Sequence, residues 1–335
     1  MKDGKELFTM NLNDIMQVPF IDWNKLHNKT LLLTGATGLI GSTIIKVLDY
    51  ISVMMNIRMT VYALVRNEKK AMDKFGGIRD KNMLHLVVGD VEHIPTINDR
   101  IDYIIHGASQ TASREFITHA VETIQTSVVG TINLLKLAME KKVDSFVYLS
   151  SMEMYGYPAK GHIVSENESG SMSPLDLRNS YPIGKQVCES LCCAYAYEYE
   201  VPAKIVRLTQ TYGNETNNTD NRVFAYFSQC VSEKKNIILK TKGETERSYL
   251  NALDAVTAIL VILLKGENGQ AYNAANESTY CSISEMAEKI ARKAGISVEY
   301  QVEKESENGF PQTVYMNLST EKLKKLGWYP ICDYL

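Results

Sequence analysis

The sequence has few of the features that mark membrane, secreted or metal-binding chains. Its longest apolar run, Ala255 to Leu264, is about ten residues, far short of a bilayer span, so no membrane partner is expected. The opening stretch MKDGKELFTMNLND scatters charges where a secretory signal carries an apolar segment, so no secretion is expected either. The six cysteines (Cys188, Cys192, Cys193, Cys230, Cys281 and Cys332) lack the paired spacing of a zinc site. Three of them crowd one helical stretch, which reads as buried free thiols in a reducing cytosol. A cytoplasmic protein without a metal is therefore expected. A net charge of -3 gives no reason to expect nucleic acid as a partner. Internal repeats, low-complexity tracts and linkers are absent from the sequence as well.

What is present is an alternation. Thr30–Thr34, Met59–Val65, Leu84–Val88, Ile101–His106, Ser145–Leu149 and Ala203–Leu208 are short, near-continuous apolar runs rich in branched residues. Helical stretches lie between them, from Leu39 to Met55, Thr118 to Lys141 and 179 to 199. Apolar strands separated by helices form a parallel sheet covered on both faces, which is a doubly wound α/β fold. The regularity weakens at 157–178 and 214–246, which are rich in Gly, Ser, Asn, Glu and Lys, and later helices are expected near 254–265, 283–294 and 319–326. The 335 residues suffice for about two domains. Residues 1–28 read as a leader packed on the main domain. Residues 29–158 with 179–213 and 247–275 read as the dinucleotide-binding domain, and 159–178, 214–246 and 276–335 as a smaller α/β substrate lobe.

Thr34-Gly35-Ala36-Thr37-Gly38-Leu39-Ile40-Gly41 joins the first strand to the first long helix. Glycines there permit a tight turn and close approach of the backbone to a pyrophosphate, and the helix N-terminus supplies unpaired N–H groups for the anion. The second strand ends at Leu64-Val65-Arg66-Asn67, with no acidic residue to hydrogen-bond the ribose of NAD. Arg66 either meets the 2′-phosphate of NADP or is a solvated surface arginine. Asp90-Val91 after the third strand is placed to touch the adenine, or Asp90 is a plain turn residue.

Tyr181-Pro182-Ile183-Gly184-Lys185 sets a phenol and an ammonium four apart, on one face of a helix. Pro182 suits the first turn, where its missing N–H costs nothing. A free tyrosine is a poor base at neutral pH, but a neighbouring cation favours its phenolate. The fifth strand runs into Ser150-Ser151-Met152-Glu153, where the Ser151 hydroxyl could bond the same substrate oxygen that Tyr181 deprotonates.

In that order, the GxxGxxG loop, the strand-end serine and the tyrosine–lysine pair resemble the NAD-dependent epimerase/dehydratase family of extended short-chain dehydrogenases, from about Lys29 to Pro330. The resemblance implies a Rossmann domain, a nucleotide-sugar substrate, bound NAD or NADP, and oxidation at C4 of the sugar. It lays Gly107, Ala108 and Ser109 along the cofactor together with Leu149 and Ser127, the last replacing an asparagine. Gln110, Ser151, Met152, Gln210, Arg222 and Arg247 fall at substrate positions. Gln210 belongs to Arg207–Gly213, which is similar to the family's Arg-x-x-Asn-x-Tyr/Phe-Gly, and replaces its asparagine. Arg247, ahead of Asp254, either faces the diphosphate or sugar, or pairs on the surface with Glu244 or Glu246. Leu326-Gly327-Trp328-Tyr329-Pro330 looks like the family's Leu-Gly-Trp-x-Pro ending. A homodimer through the helices at about 118–141 and 179–199 is also implied.

Within the family, dehydratases carry Thr-Asp-Glu after the fifth strand and decarboxylases Thr-Ser-Glu, whereas this chain has Ser151-Met152-Glu153. Met152 cannot donate the proton a dehydratase needs, and epimerases usually lack Glu153. His106–Ser113 with Thr123–Thr126 looks most like UDP-glucuronate decarboxylases, so oxidation followed by decarboxylation is preferred, with dehydration next. A 4-epimerase or an NADPH-dependent 4-ketosugar reductase is the alternative, and a non-catalytic NAD(P)-binding regulator a more remote one.

Overall fold

The computed structural model describes residues 12–111, 113–213, 223–302 and 312–332. Strands β1 (Lys29–Thr34), β2 (Met59–Val65), β3 (Leu84–Val88), β4 (Tyr103–His106) and β5 (Ser145–Ser151) are followed by β6 (Ile163–Val164), β7 (Ala203–Leu208) and β8 (Gln210–Tyr212). Then come β9 (Ile237–Leu239), β10 (Glu246–Asn251), β11 (Ala271–Ala274), β12 (Asn276–Ser282), β13 (Val298–Tyr300) and β14 (Tyr315–Leu318). The helices are α1 (Leu12–Met16), α2 (Leu39–Met55), α3 (Glu68–Phe75), α4 (Glu115–Thr118) and α5 (Ala120–Lys141), then α6 (Ser180–Glu198), α7 (Val223–Glu233), α8 (Ala252–Lys265), α9 (Ile283–Ala294) and α10 (Glu321–Lys324).

Seven parallel strands form the main sheet in the order β11-β7-β5-β4-β1-β2-β3. The apolar runs explain it: side chains alternate across a strand, so Leu31 and Leu33 face one layer and Leu32 the other. The first layer buries α2 and α8. The second buries α5 and α6, with Leu134, Leu135, Cys188 and Cys192 against Phe146, Tyr148 and Ile205. Residues from Ile15 to Leu26 also pack into the first layer, led by Phe20 and Trp23. The motif near the C-terminus docks on α8: Trp328 Nε1 donates to the Thr257 hydroxyl (3.0 Å), and Asp254 accepts from the Ile331 N–H (2.7 Å).

Several elements depart from the sequence expectation. The helix expected from Thr118 is broken at His119, which leaves helical backbone (φ -136°, ψ 50°). The break turns the short α4, and with it Phe116, back towards the start of α6. The stretch 214–246 holds α7 and β9 rather than irregular chain alone, and β11 adds a seventh strand at the sheet edge. The last helix spans only Glu321–Lys324.

A second sheet, β12-β10-β14-β6 with β8 paired to β10, stands beyond the carboxyl ends of the main strands. With α7 and α9 it encloses a separate core of Tyr212, Phe224, Phe227, Tyr249, Met286 and Ile290. The order in which successive strands are added to the main sheet reverses between β1 and β4, and the crevice at such a switch point is where doubly wound sheets bind ligands.

Candidate active site

The turn after β1 meets the turn after β4 across that crevice. Gly35 has φ +71°, and a Cβ on it would lie 2.6 Å from the Gly107 carbonyl carbon. A Cβ on Gly41 would lie 2.3 Å from the Gly35 carbonyl oxygen, so α2 can start against the turn only through glycine. No side chain caps α2 at Gly38, which leaves the N–H groups of its first turn, from Leu39 and Ile40 onward, for an anion. This bare cradle, with Thr37 in its turn, fits a dinucleotide pyrophosphate.

His106 fixes the far wall. Its Nδ1 accepts from the Thr34 hydroxyl (2.8 Å) and its Nε2 donates to Thr131 Oγ1 (3.1 Å), whose own hydrogen goes to the Ser127 carbonyl. Thr34 Oγ1 in turn accepts the Ala108 N–H (3.1 Å). The imidazole is fully buried, and burial pulls its pKa down to about 3, so it stays neutral in one tautomer.

Other cofactor candidates divide. Leu149 packs where a Gly107 Cβ would stand, and its carbonyl accepts from Lys185. Ser109 is half-buried beside Gln110. Ser127 is buried in α5, its hydroxyl on the Thr123 carbonyl, so its side chain is committed to the helix. Asp90 closes a turn by accepting the N–H groups of Glu92 and His93, both at 2.8 Å, and the Val91 side chain is buried where a Gly130 Cβ would be. Arg66 is exposed at the end of β2.

The tyrosine and lysine occupy the first two turns of α6 as their spacing requires. Lys185 Nζ donates to the Leu149 carbonyl (2.7 Å) and lies 5.5 Å from the Tyr181 ring centre. Burial pulls the ammonium down to about 8, against the opposing pull of Cys188 and Glu189. The Tyr181 phenol is held above its ordinary value, first by burial and then by the Glu153 charge, while Ser151 and Arg178 act the other way. The lowering by Ser151 and Arg178 is therefore outweighed here, because a buried phenolate loses its hydration. Ser151 starts the turn after β5, where its Oγ accepts the Glu153 N–H (3.2 Å).

Two further neighbours complete the surroundings of Tyr181. Phe116 stacks flat on Tyr181, with centroids 4.4 Å apart and planes within 1°. Arg178 lies over the Phe116 ring at 4.8 Å and donates to Glu153 Oε2 at 3.0 Å. Arg178 stands three residues before Tyr181, a spacing that could have flagged it; Phe116 is 65 residues away in sequence.

Beneath the site runs a buried polar network. Arg207 on β7 forks onto Glu189 of α6 (2.7 and 3.1 Å) and donates to the Tyr155 hydroxyl (2.7 Å), which donates to Asn273. Ser150 donates to Glu189 as well. The network ties the turn bearing Ser151 and Glu153 to the helix bearing Tyr181.

In the second sheet, Arg247 Nη1 donates to Gln210 Oε1 (3.3 Å), and its Nε is buried with no hydrogen-bond partner among the described residues. Glu246 is occupied instead by Lys160 and Tyr280. Met152 is only 6% exposed, packs with Met154, Val164 and Leu318, and accepts the Thr209 hydroxyl at its sulfur. Arg222 lies outside the described residues. Among the described residues no cluster of His, Cys, Asp and Glu could hold a metal ion, and no helix is long and apolar enough to cross a membrane.

Comparison with known proteins agrees with this geometry. UDP-glucuronic acid decarboxylase 1 of Xenopus tropicalis is 27% identical over 310 residues, which cover 90% of this chain and 69% of the relative. The dTDP-D-glucose 4,6-dehydratase of Homo sapiens is 27% identical over 320 residues, covering 90% and 85%. The solved structure of a variant UDP-glucuronic acid 4-epimerase from Bacillus cereus, in complex with NAD and UDP-4-deoxy-4-fluoro-glucuronic acid, shares the fold. Its TM-score is 0.74 at 19% identity, covering 91% of this chain and 95% of that one. The model of the NAD dependent epimerase/dehydratase family matches residues 31–275, and the chain belongs to that family.

Proposed function

We propose that the protein oxidises a UDP-hexuronate at C4 and decarboxylates the resulting 4-keto sugar. The observation that carries this is the pairing of an intact redox trio, Ser151, Tyr181 and Lys185, with a buried Met152 where elimination of water would need an acid. The glycine turn, Leu39 and Ile40 would hold the cofactor's pyrophosphate, with Gly107, Ala108 and Leu149 along its length. Arg66, without an acidic neighbour, leaves NADP as acceptable as NAD. A bound oxidised nicotinamide supplies a hydride acceptor and a positive charge that favours the phenolate.

Tyr181 takes the C4 hydroxyl proton as the carbonyl forms, and the Ser151 hydroxyl donates to the same oxygen. Lys185, anchored on Leu149, keeps a cation behind the phenol. The product of oxidation is a β-keto acid: its C5–C6 bond breaks as carbon dioxide leaves, and the bond electrons pass to the C4 oxygen; a proton taken up at C5, with the hydride returned to C4 and the Tyr181 proton to its oxygen, would complete the UDP-pentose. Tyr181, now protonated, and Ser151 hydrogen-bond that oxyanion, which is the stabilisation such a step needs. No leaving-group proton is required, so Met152 is no obstacle. Arg247 with Gln210 suits a phosphate or carboxylate of the substrate.

The purified protein incubated with UDP-glucuronate should release carbon dioxide and a UDP-pentose with no sustained change in nicotinamide absorbance. Formation of UDP-galacturonate without carbon dioxide would instead establish 4-epimerisation, which the same trio supports without an acid. Continuous consumption of NADPH would establish a reductase. The exposed apolar residues of α5 and α6 further support assembly as a homodimer, and the cysteine pattern supports a cytoplasmic setting.

A further inference from the structure

We propose that Arg178 is a positioning residue for Tyr181, acting by holding Glu153 in an ion pair and by clamping Phe116 flat against the phenol ring. The proposal rests on Tyr181 being the proton acceptor of the reaction above. Its basis is a chain of three ring and cation contacts. The Arg178 guanidinium lies over Phe116 at 4.8 Å, Phe116 lies on Tyr181 at 4.4 Å, and Lys185 Nζ lies 5.5 Å from the Tyr181 centroid. Aromatic pairs prefer offset or edge-on geometry, and a cation over the Phe116 ring adds attraction that a simple pair lacks. Phe116 is itself fixed: it is 1% exposed, and its carbonyl accepts from the buried Ser180 hydroxyl at 2.7 Å. The plane of the phenol is thus set by a ring from α4 and a cation from the turn before α6.

Charge is the second half. The polar groups facing the phenol are Ser151 and Glu153 from the turn after β5, Tyr148 from β5, Lys185 from its own helix and Arg178; the α4 side presents Phe116. Glu153 opposes a phenolate and Arg178 favours one. Both members of the pair are about one-third exposed or less, 28% for Arg178 and 32% for Glu153, so the pair contributes little to folding. Its effect should be read in the ionisation of Tyr181.

The test compares Arg178→Gln, Arg178→Lys, Arg178→Gln/Glu153→Gln and Phe116→Leu with the parent. One readout is the pH dependence of kcat with UDP-glucuronate. The other is the NMR titration of tyrosine labelled with ¹³C at Cζ in NAD-loaded protein, with the Tyr181 signal assigned by its loss in Tyr181→Phe. Arg178→Gln should move the Tyr181 midpoint and the rising limb of kcat to higher pH by about one unit, tenfold in proton concentration. Arg178→Lys should hold both near the parent, and the double variant should return them towards it. Phe116→Leu should lower kcat with the midpoint unmoved. An unmoved midpoint in Arg178→Gln, or one as displaced in the double variant, would overturn the proposal. If the parent does not turn over UDP-glucuronate, the reaction fails as proposed, and the NMR titration still decides the role of Arg178.

Discussion

Removing the Tyr181 hydroxyl is the most direct probe of the site, because phenylalanine keeps the stack on Phe116 and loses only the proton acceptor. Tyr181→Phe is expected to lower kcat by about 10²–10⁴-fold with the thermal midpoint unchanged, measured by product formation and calorimetry. His106 makes a different prediction. Folded, its pKa is about 3, against an ordinary value of 6.5. An unfolded histidine gains a proton below about 6.5 that the folded one refuses, so its contribution to stability is full above that pH and is lost as pH falls towards 3. The slope is on the order of 1.4 kcal/mol per pH unit. His106→Gln should flatten the pH dependence of the denaturation midpoint in that window relative to the parent; an unchanged slope would show that His106 does not carry it. Tyr181, Lys185 and Ser151 were legible in sequence because each belongs to a short motif with a mechanical reason for its spacing. Phe116 was not, since its role depends on a helix break at His119 that no local pattern announces.

Among elements, β5, β7 and α6 are coupled through Glu189. Its carboxylate takes the forked Arg207 guanidinium and the Ser150 hydroxyl in a buried setting. Glu189→Gln leaves Arg207 buried without its counter-charge and should cost about 3–5 kcal/mol in urea denaturation. Glu189→Leu with Arg207→Met should cost less than either single change. Near-equal midpoints for Glu189→Gln and the parent would show that the network contributes nothing. Gly35→Ala acts at another junction, where β1 and β4 diverge: it forces φ +71° on a side chain and drives Cβ into the Gly107 carbonyl. Loss of NAD binding by calorimetry is expected, together with a lowered thermal midpoint; retained affinity would exclude the cradle. The long strands and α2 were readable because apolar period and glycine punctuation agree there. Strand β11 was not, since AYNA carries no apolar run and is recruited only by pairing with β7.

The whole molecule shows the limit of pattern reading most clearly in its second sheet. Strands β6, β8, β10 and β14 are two to six residues long, and β6 meets β14 through Asn317 and Ile163, so partners are set by long-range packing rather than by periodicity. The α5–α6 pair poses the complementary question of what its outer face meets. Its inner face is buried in the main core, yet Val121 (71% exposed), Ile124 and Val129 of α5 and Val187 of α6 are exposed, with Ile117 of α4 and Leu177 nearby. Single exposed apolar residues need no explanation, but several on two adjoining helices form the kind of patch that association covers. A second copy applied by two-fold symmetry would set α5 and α6 against their own counterparts. Val121→Lys with Ile124→Lys puts like charges across such an axis, so light scattering should show half the parent's mass, with unchanged far-ultraviolet circular dichroism. A parent that is already monomeric at micromolar concentration would sink the dimer. Because α6 also carries Tyr181, Lys185 and Glu189, the monomeric variant should lose thermal stability as well as mass.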